Sequence, residues 1–302
     1  MKLCILGMTV VLLSGPAVAT ADKLDDSYQS LKDAVGKKDP ALVKSAVAEL
    51  NPMVKEALAT PAPSDADEKK AWDAHVEYVK GIQEYCEYAL FATAIQGPAA
   101  TTVDLIGTLE GLNPKSKYLD QGYGQYLVAL NQTGATAKIP AIASKALQHF
   151  PDNPDLLSVM MEASYGKQNS QALAYANRLI AVFGKPRPED VSAAEWERLR
   201  GANLGRAHWM AGMVYCSGGT WGPGDRELRA ALPMINGNTA MTGPALFYLG
   251  MANYQLAKMT MSKAKMLDAV KFSKESSAIA GPFADQARHN AIVMQGEADR
   301  MR

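Results

Sequence analysis

The sequence predicts an all-α protein built from stacked helical hairpins, and three observations support this prediction. Apolar residues recur at spacings of three and four along almost the whole chain, which is the pattern of amphipathic helices. No segment shows the sustained alternation of apolar and polar residues that marks a strand. Prolines that end helices stand at positions 114, 151 and 186, and these intervals of 37 and 35 residues each accommodate two helices of about a dozen residues. Each interval is therefore predicted to form one helical hairpin.

The N-terminal residues indicate export. Lys2 precedes an apolar run from Leu3 to Leu13, and small residues at 17, 19 and 21 offer cleavage sites, so residues 1–21 are predicted to be a cleaved signal peptide. A membrane anchor is the alternative, but the run is well short of the roughly 20 residues that a span needs. Ser14-Gly15-Pro16 stands where a lipoprotein would carry its lipidated cysteine. We therefore expect a periplasmic or secreted protein with neither a lipobox nor a membrane span.

The N-terminal region, residues 22–117, is predicted to contain degenerate hairpins. Its first two helices cover residues 24–35 and 42–50, separated by a break at Lys37–Pro40, and Pro52 interrupts or kinks the second near its end. A proline-containing loop at Thr60–Asp67 precedes a long helix that runs from Lys69 to about Ile95. Candidate N-caps for that helix are Ser64 and Asp67.

The remainder, residues 118–302, is predicted to be a repeat region with a C-terminal capping helix. Residues 187–208 are expected to extend a helix, and Ser192 and Glu195 form a candidate capping box at its start. The last helix carries apolar residues on one face and charged residues elsewhere, which fits a solubilising cap.

Three segments of this region resemble the tetratricopeptide repeat family, whose units run to about 34 residues. The best match covers Phe150–Pro186, the second is Ala245–Ala257 with its Leu249-Gly250 pair, and the third is Trp209–Tyr215 with Gly212 at the family's spacing. Gly at a helix crossing lets two backbones approach closely. The resemblance implies a right-handed superhelix of hairpins, and it implies protein binding because such repeats usually mediate association.

The sequence lacks the common signatures of catalysis. It contains no His-Glu-x-x-His zinc motif, no Gly-x-Ser-x-Gly elbow and no phosphate-binding Gly-Lys-Ser/Thr loop. The four histidines are far apart and do not pair with cysteines at metal-ligand spacing. We therefore expect no enzyme activity, no catalytic residue, no metal and no cofactor.

A protein or peptide is the expected partner. The 31 basic and 31 acidic residues balance, which argues against a nucleic acid. The glycine-rich segment Ser217–Asp225 is predicted to be a loop in which Trp221 either anchors a partner or folds onto its own hairpin. Methionines of the repeats either form an adaptable binding surface or fill gaps between helices. The candidate partner contacts are Trp221, Met213, Tyr215 and Tyr254.

Several alternatives remain open at this point. Cys86 and Cys216 are interpreted as buried thiols or, since an exported protein meets an oxidising compartment, as a disulfide. A small-ligand receptor or an enzyme, with a pocket where the N-terminal helices meet the repeats, is the competing functional class. An architectural subunit that self-associates through its ends is the third.

Overall fold

A computed structural model describes residues 16–189 and 191–301, with side chains described from residue 23 onward and not for Ala202. Most of the predicted signal peptide, residues 1–15, lies outside this part of the chain. The described residues form α-helices and one short 3-10 turn at Thr136–Lys138, and no strand occurs among them, which confirms the all-helical class. None of the described helices is both long enough and apolar enough to cross a membrane.

The chain divides into two compact units, Met1–Thr136 and Ala137–Arg302. The helices of unit 1 are α1 (Pro16–Lys37), α2 (Pro40–Ala59), α3 (Ala66–Gln96), α4 (Ala99–Leu112) and α5 (Lys117–Gln132). Those of unit 2 are α6 (Ile139–Ala146), α7 (Pro154–Ser164), α8 (Asn169–Gly184), α9 (Ala193–Ser217), α10 (Trp221–Ala231), α11 (Thr239–Thr260), α12 (Lys263–Ser277) and α13 (Ala284–Arg300). The boundary between the two compact units, after Thr136, places α5 in unit 1. The start of the repeat region at residue 118 follows from the extent of the repeat resemblance and stays a prediction.

Local capping explains where several helices begin. The Asp39 carboxylate accepts hydrogen bonds from the backbone N–H groups of Ala41 and Leu42, at 2.9 and 3.1 Å, so α2 begins at the predicted break. Ser192 Oγ accepts from the Glu195 N–H at 3.2 Å and caps α9, as its sequence position predicts.

Two local predictions were wrong. The cap of α3 is Asp65, which accepts from two backbone N–H groups, rather than Ser64 or Asp67. The expected loop at 217–225 is reduced to three residues, because α9 continues to Ser217 and α10 begins at Trp221. Glycine disfavours helix interiors, but a Cβ at Gly224 of α10 would lie 2.3 Å from Cys216 Sγ, so the close packing of α9 and α10 requires glycine there.

Within each unit, helices pack on their sequence neighbours and also on the next helix but one. In unit 1, α3 contacts α1 and α5, and α2 contacts α4. In unit 2, α9 contacts α7 and α11, and α11 contacts α13. The alternate helices of these pairs are therefore adjacent, so side chains from α1, α3 and α5 lie side by side, as do those from α7, α9, α11 and α13.

Glycines stand where helices of unit 2 approach most closely. A Cβ added at Gly212 of α9 would lie 2.5 Å from Leu228 Cγ and 3.0 Å from the Leu228 backbone nitrogen in α10. A Cβ at Gly250 of α11 would lie 2.5 Å from Ser273 Oγ in α12. Both positions confirm that these glycines lie at helix crossings, where a side chain would force the helices apart.

Candidate functional site

The four residues predicted to contact a partner lie mostly in the interior of unit 2. Met213 is only 5% exposed and belongs to a hydrophobic cluster against which Trp221, at the first turn of α10, is also packed. Tyr215 is partly buried, and Tyr254 packs on a second cluster while its hydroxyl donates to Glu297 Oε1 at 2.9 Å. The structure therefore brings Met213 and Trp221 to one core and does not assemble the four residues into an exposed site.

Unit 1 instead carries a continuous row of six aromatic side chains, which we call the aromatic ladder. In order along the row, it consists of Tyr78, Tyr28, Tyr85, Tyr88, Tyr118 and Phe91. The centroids of successive rings are 6.3, 5.5, 6.0, 5.7 and 5.6 Å apart, within the range of favourable aromatic pairs. The rings come from α1, α3 and α5, so the ladder crosses three alternate helices.

The rings of the ladder are crossed rather than coplanar and remain accessible. Successive ring planes meet at 78°, 82°, 47°, 59° and 26°, so only the last pair, Tyr118 and Phe91, is stacked. Tyr78 and Tyr88 are each 43% exposed, and the other four rings are partly buried. Two of the six rings are therefore exposed to solvent, and the row is a candidate interaction surface.

Charged groups lie at both ends of the ladder. The Tyr78 hydroxyl donates to Asp25 Oδ1 at 2.7 Å, and this hydrogen bond to a carboxylate raises the pKa of Tyr78 to about 12. At the other end Lys117 Nζ lies 2.5 Å from Glu84 Oε1, and this contact lowers the pKa of the Glu84 carboxyl. Lys32 Nζ stands 4.0 Å from the centre of the Tyr28 ring in a cation–π contact.

Three phenol groups in the middle of the ladder have unused hydrogen-bonding capacity. Among residues 16–189 and 191–301, the hydroxyls of Tyr28, Tyr85 and Tyr88 make no hydrogen bond. Partial burial raises the pKa of the Tyr85 hydroxyl. The ladder therefore offers apolar ring surface together with hydrogen-bond donors.

Sequence reasoning missed this ladder, although part of the signal is visible in α3. Tyr78, Tyr85, Tyr88 and Phe91 are separated by seven, three and three residues, which places them near one face of a helix. The same spacing also describes a buried stripe. Only the packing of α1 and α5 against α3 adds Tyr28 and Tyr118 and leaves the face open.

Unit 2 holds a polar pair that is also invisible to sequence motifs. His208 Nδ1 of α9 lies 2.7 Å from Glu227 Oε2 of α10, and both side chains are largely buried. Arg226 Nη2 approaches the other carboxylate oxygen at 2.9 Å. The contact between His208 and Glu227 therefore links α9 and α10, and the two oxygens of the Glu227 carboxylate are paired with His208 and Arg226.

A second buried network joins α10, α11 and α12. The Asn253 amide is fully buried and donates to Asp225 Oδ1 at 2.6 Å and to the Leu249 carbonyl at 2.9 Å. Arg229 donates to Asn253 at 3.2 Å and to Asp268 at 2.8 Å. Because every member is paired, this network stabilises the hairpin rather than offering a free binding group.

Two cavities, the potential metal ligands and the two described thiols complete the candidate sites of the described residues. Two open cavities of about 440 and 490 Å³ flank the start of α11; Arg206 lines the larger of these two, and the smaller has no charged residue in its lining. No group of three or more His, Cys, Asp or Glu in the described part of the chain is placed to hold a metal ion. Cys86 and Cys216 are both free and buried, and burial raises the pKa of each thiol to about 12.

Comparisons with known proteins supply no relative. No protein-family model matches the chain, and no curated protein matches it. A similar solved chain comes from work on the computational design of self-assembling cyclic protein homooligomers. It is 10% identical, with 94% of this chain and 96% of that chain covered, and its TM-score is 0.23. A similarity this low carries no argument about fold, assembly or function.

Proposed function

We propose that this chain is an exported protein-binding scaffold whose hairpins stack as in tetratricopeptide repeats, and that the aromatic ladder of unit 1 binds an extended segment of a partner protein. The observation that carries the proposal is the unbroken row of six aromatic rings across α1, α3 and α5. Tyrosine is enriched at binding hot spots because a rigid ring supplies contact area at low entropic cost.

The charge of the chain and the length of the ladder support an extended protein segment as the ligand. The equal number of basic and acidic residues in the chain provides no field for a polyanion. The ladder spans three helices, which suits a long ligand better than a compact one. Export, which the N-terminal residues predict, would place the partner in the periplasm or outside the cell.

Selection of peptides from a random display library tests this function. We expect the full chain to enrich peptides of convergent sequence, and we expect their affinity to fall at least about tenfold in Tyr88→Ala, since a central aromatic contact is worth more than 1 kcal/mol. Val128→Ala is the matched control, because Val128 is 56% exposed on α5 and is not part of the ladder.

The outcomes separate cleanly. Convergent peptides that lose affinity in Tyr88→Ala and keep it in Val128→Ala support the function. Enrichment of no peptide, or equal affinity for wild type and Tyr88→Ala, contradicts it.

A further inference from the structure

We propose that the tyrosines of the aromatic ladder form a relay for one-electron oxidation, which ends at Tyr78 with the transfer of its phenol proton to Asp25. An oxidant that removes an electron from any of the five rings thereby produces a radical on one exposed side chain. The oxidants that we assign to this tyrosine relay are peroxyl radicals. This activity goes beyond peptide binding and does not depend on it. In order, the relay consists of Tyr118, Tyr88, Tyr85, Tyr28 and Tyr78.

The rings of the tyrosine relay lie close enough for an electron to pass from each to the next. From Tyr118 to Tyr78 the four centroid distances are 5.7, 6.0, 5.5 and 6.3 Å, which are those of aromatic rings in contact. Electron transfer weakens exponentially with the gap between two groups, so contact favours hopping along the row. Phe91 also contacts Tyr118, but its ring has no hydroxyl group and is much harder to oxidise, so it is not a member.

Proton acceptors decide where the radical persists. An oxidised phenol is a strong acid, so its radical is stable only where the phenol proton can leave. The Tyr78 hydroxyl donates to Asp25 Oδ1 at 2.7 Å, a short charge-assisted hydrogen bond along which the proton can move as the electron leaves. The hydroxyls of Tyr28, Tyr85 and Tyr88 make no hydrogen bond within the described residues. Among these four phenols, only the Tyr78 hydroxyl therefore has an acceptor in place.

Two lysines oppose oxidation of the rings that they contact. Lys32 Nζ lies 4.0 Å from the centre of the Tyr28 ring, and Lys117 Nζ lies 5.2 Å from the centre of the Tyr118 ring. A cation is attracted to an electron-rich ring but repels the positive charge of an oxidised ring. The radical therefore crosses Tyr28 on its way along the row and does not persist on Tyr28 or Tyr118.

Tyr118 has a carboxylate partner as well, but a poorer proton acceptor. Its hydroxyl donates to Glu84 Oε1 at 3.3 Å, against 2.7 Å between Tyr78 and Asp25. Lys117 Nζ lies 2.5 Å from the same Glu84 oxygen and lowers the pKa of that carboxyl. A carboxylate with a lowered pKa accepts a proton less readily. The Tyr78 end of the relay is therefore the favoured end.

Electrons and protons balance in the proposed reaction. A peroxyl radical takes one electron from a tyrosine of the relay and becomes a peroxide anion. An electron from Tyr78 moves along the rings to fill the vacancy, and the Tyr78 phenol proton moves to Asp25. The Asp25 carboxyl releases this proton to solvent, and the peroxide anion takes one up. The products are one hydroperoxide and one phenoxyl radical at Tyr78.

Spin trapping on the full chain tests the tyrosine relay. A water-soluble azo initiator in air supplies peroxyl radicals, a nitroso compound traps the tyrosyl radicals, and peptide mass spectrometry compares the adducts at Tyr78 and Tyr88. Each of these two side chains is 43% exposed, so exposure alone predicts equal amounts of adduct. We expect the adduct at Tyr78 to dominate.

Three variants separate a relay from local reactivity. Tyr28→Phe keeps the ring and the hydrogen bond between Tyr78 and Asp25, but it removes the phenol that connects Tyr78 to the other tyrosines. Asp25→Asn keeps an acceptor oxygen beside Tyr78, but an amide cannot take up the proton. Both variants are expected to bring the ratio of the two adducts down toward equality. The matched control, Tyr175→Phe, removes a partly buried tyrosine of α8 outside the ladder and is expected to leave the ratio unchanged.

Defined results overturn the proposal. Equal adducts at Tyr78 and Tyr88 in the wild type would do so, because exposure would then explain them. An unchanged ratio in Tyr28→Phe would mean that Tyr78 reacts directly, and an unchanged ratio in Asp25→Asn would refute the proton transfer. An equal fall in Tyr175→Phe would show that the ratio does not report on the ladder. Melting temperatures equal to that of the wild type verify that each variant is folded.

Discussion

Replacing Gly212 with alanine is expected to destabilise unit 2, although alanine is the better helix former. The new Cβ would lie 2.5 Å from Leu228 Cγ and 3.0 Å from the Leu228 backbone nitrogen. Leu228 is fully buried, so its side chain has no free space to occupy. Overpacking of this kind costs about 1–3 kcal/mol, and contact with backbone favours the upper half of that range.

The gain in helix propensity from this substitution is smaller than the overpacking cost. Replacing an interior glycine of a helix with alanine contributes about 1 kcal/mol of stability, so the net loss for Gly212→Ala is about 1–2 kcal/mol. Gly201 lies in the same helix, is exposed, and its added Cβ would meet nothing within 4 Å. Gly201→Ala is therefore the matched control, with an expected gain of about 0.5–1 kcal/mol.

Urea unfolding followed by tryptophan fluorescence measures both changes. Three of the four tryptophans, at 196, 209 and 221, lie in unit 2, so the signal reports mainly on that unit. We expect the midpoint to fall by about 0.5–1 M for Gly212→Ala and to rise slightly for Gly201→Ala, with equal slopes. A Gly212→Ala protein as stable as the wild type would refute the close approach of α9 and α10.

Three further predictions follow from local structure. Asp65→Ala is expected to lower the free energy of unfolding in urea by about 1 kcal/mol, because it removes the N-cap of α3. The control Ser64→Ala should change that free energy by less than about 0.5 kcal/mol. Equal effects of the two substitutions would contradict the observed cap. Iodoacetamide at pH 8 should leave Cys86 and Cys216 unlabelled in the native protein and label both in urea, because both thiols are buried with a pKa of about 12. Peptide mass spectrometry measures the labelling, and rapid labelling of the native protein would refute this prediction. Burial, with the Glu110 carboxylate nearby, raises the pKa of Tyr126 to about 12. The stability that the protonated Tyr126 phenol contributes is therefore complete below pH 10 and is lost as the pH rises from about 10 to 12. The melting temperature should fall over that interval, and by less in Tyr126→Phe. An equal fall in both proteins would contradict the raised pKa of Tyr126.

Much of the helical architecture was predictable because its causes are local. The break at Lys37–Pro40 and the end of α3 before Gly97-Pro98 follow from residues that cap or stop a helix wherever they stand. Apolar periodicity likewise predicts which side of a helix is buried. Such signals depend on residues within a turn or two of each other, so one chain is enough to interpret them.

Glycine-rich sequence was harder to interpret because its conformation depends on distant partners. The predicted loop at 217–225 is largely helix, and Gly224 lies where a Cβ would stand 2.3 Å from Cys216 Sγ. The absence of a side chain serves the contact between α9 and α10 rather than a flexible backbone. Met213 and Trp221, which would suit a binding surface by type, are drawn into the core of the same hairpin.

By itself, the sequence determined that this protein is helical, that α3 and α4 stop just before Pro98 and Pro114, and that Gly212 and Gly250 stand at helix crossings of unit 2. The tertiary structure alone decided which aromatic residues meet, since Tyr28, Tyr85 and Tyr118 come from three helices separated by up to 90 residues of chain. The physical reason is range: periodicity and capping act between near neighbours, whereas a surface is assembled from side chains that only packing brings together.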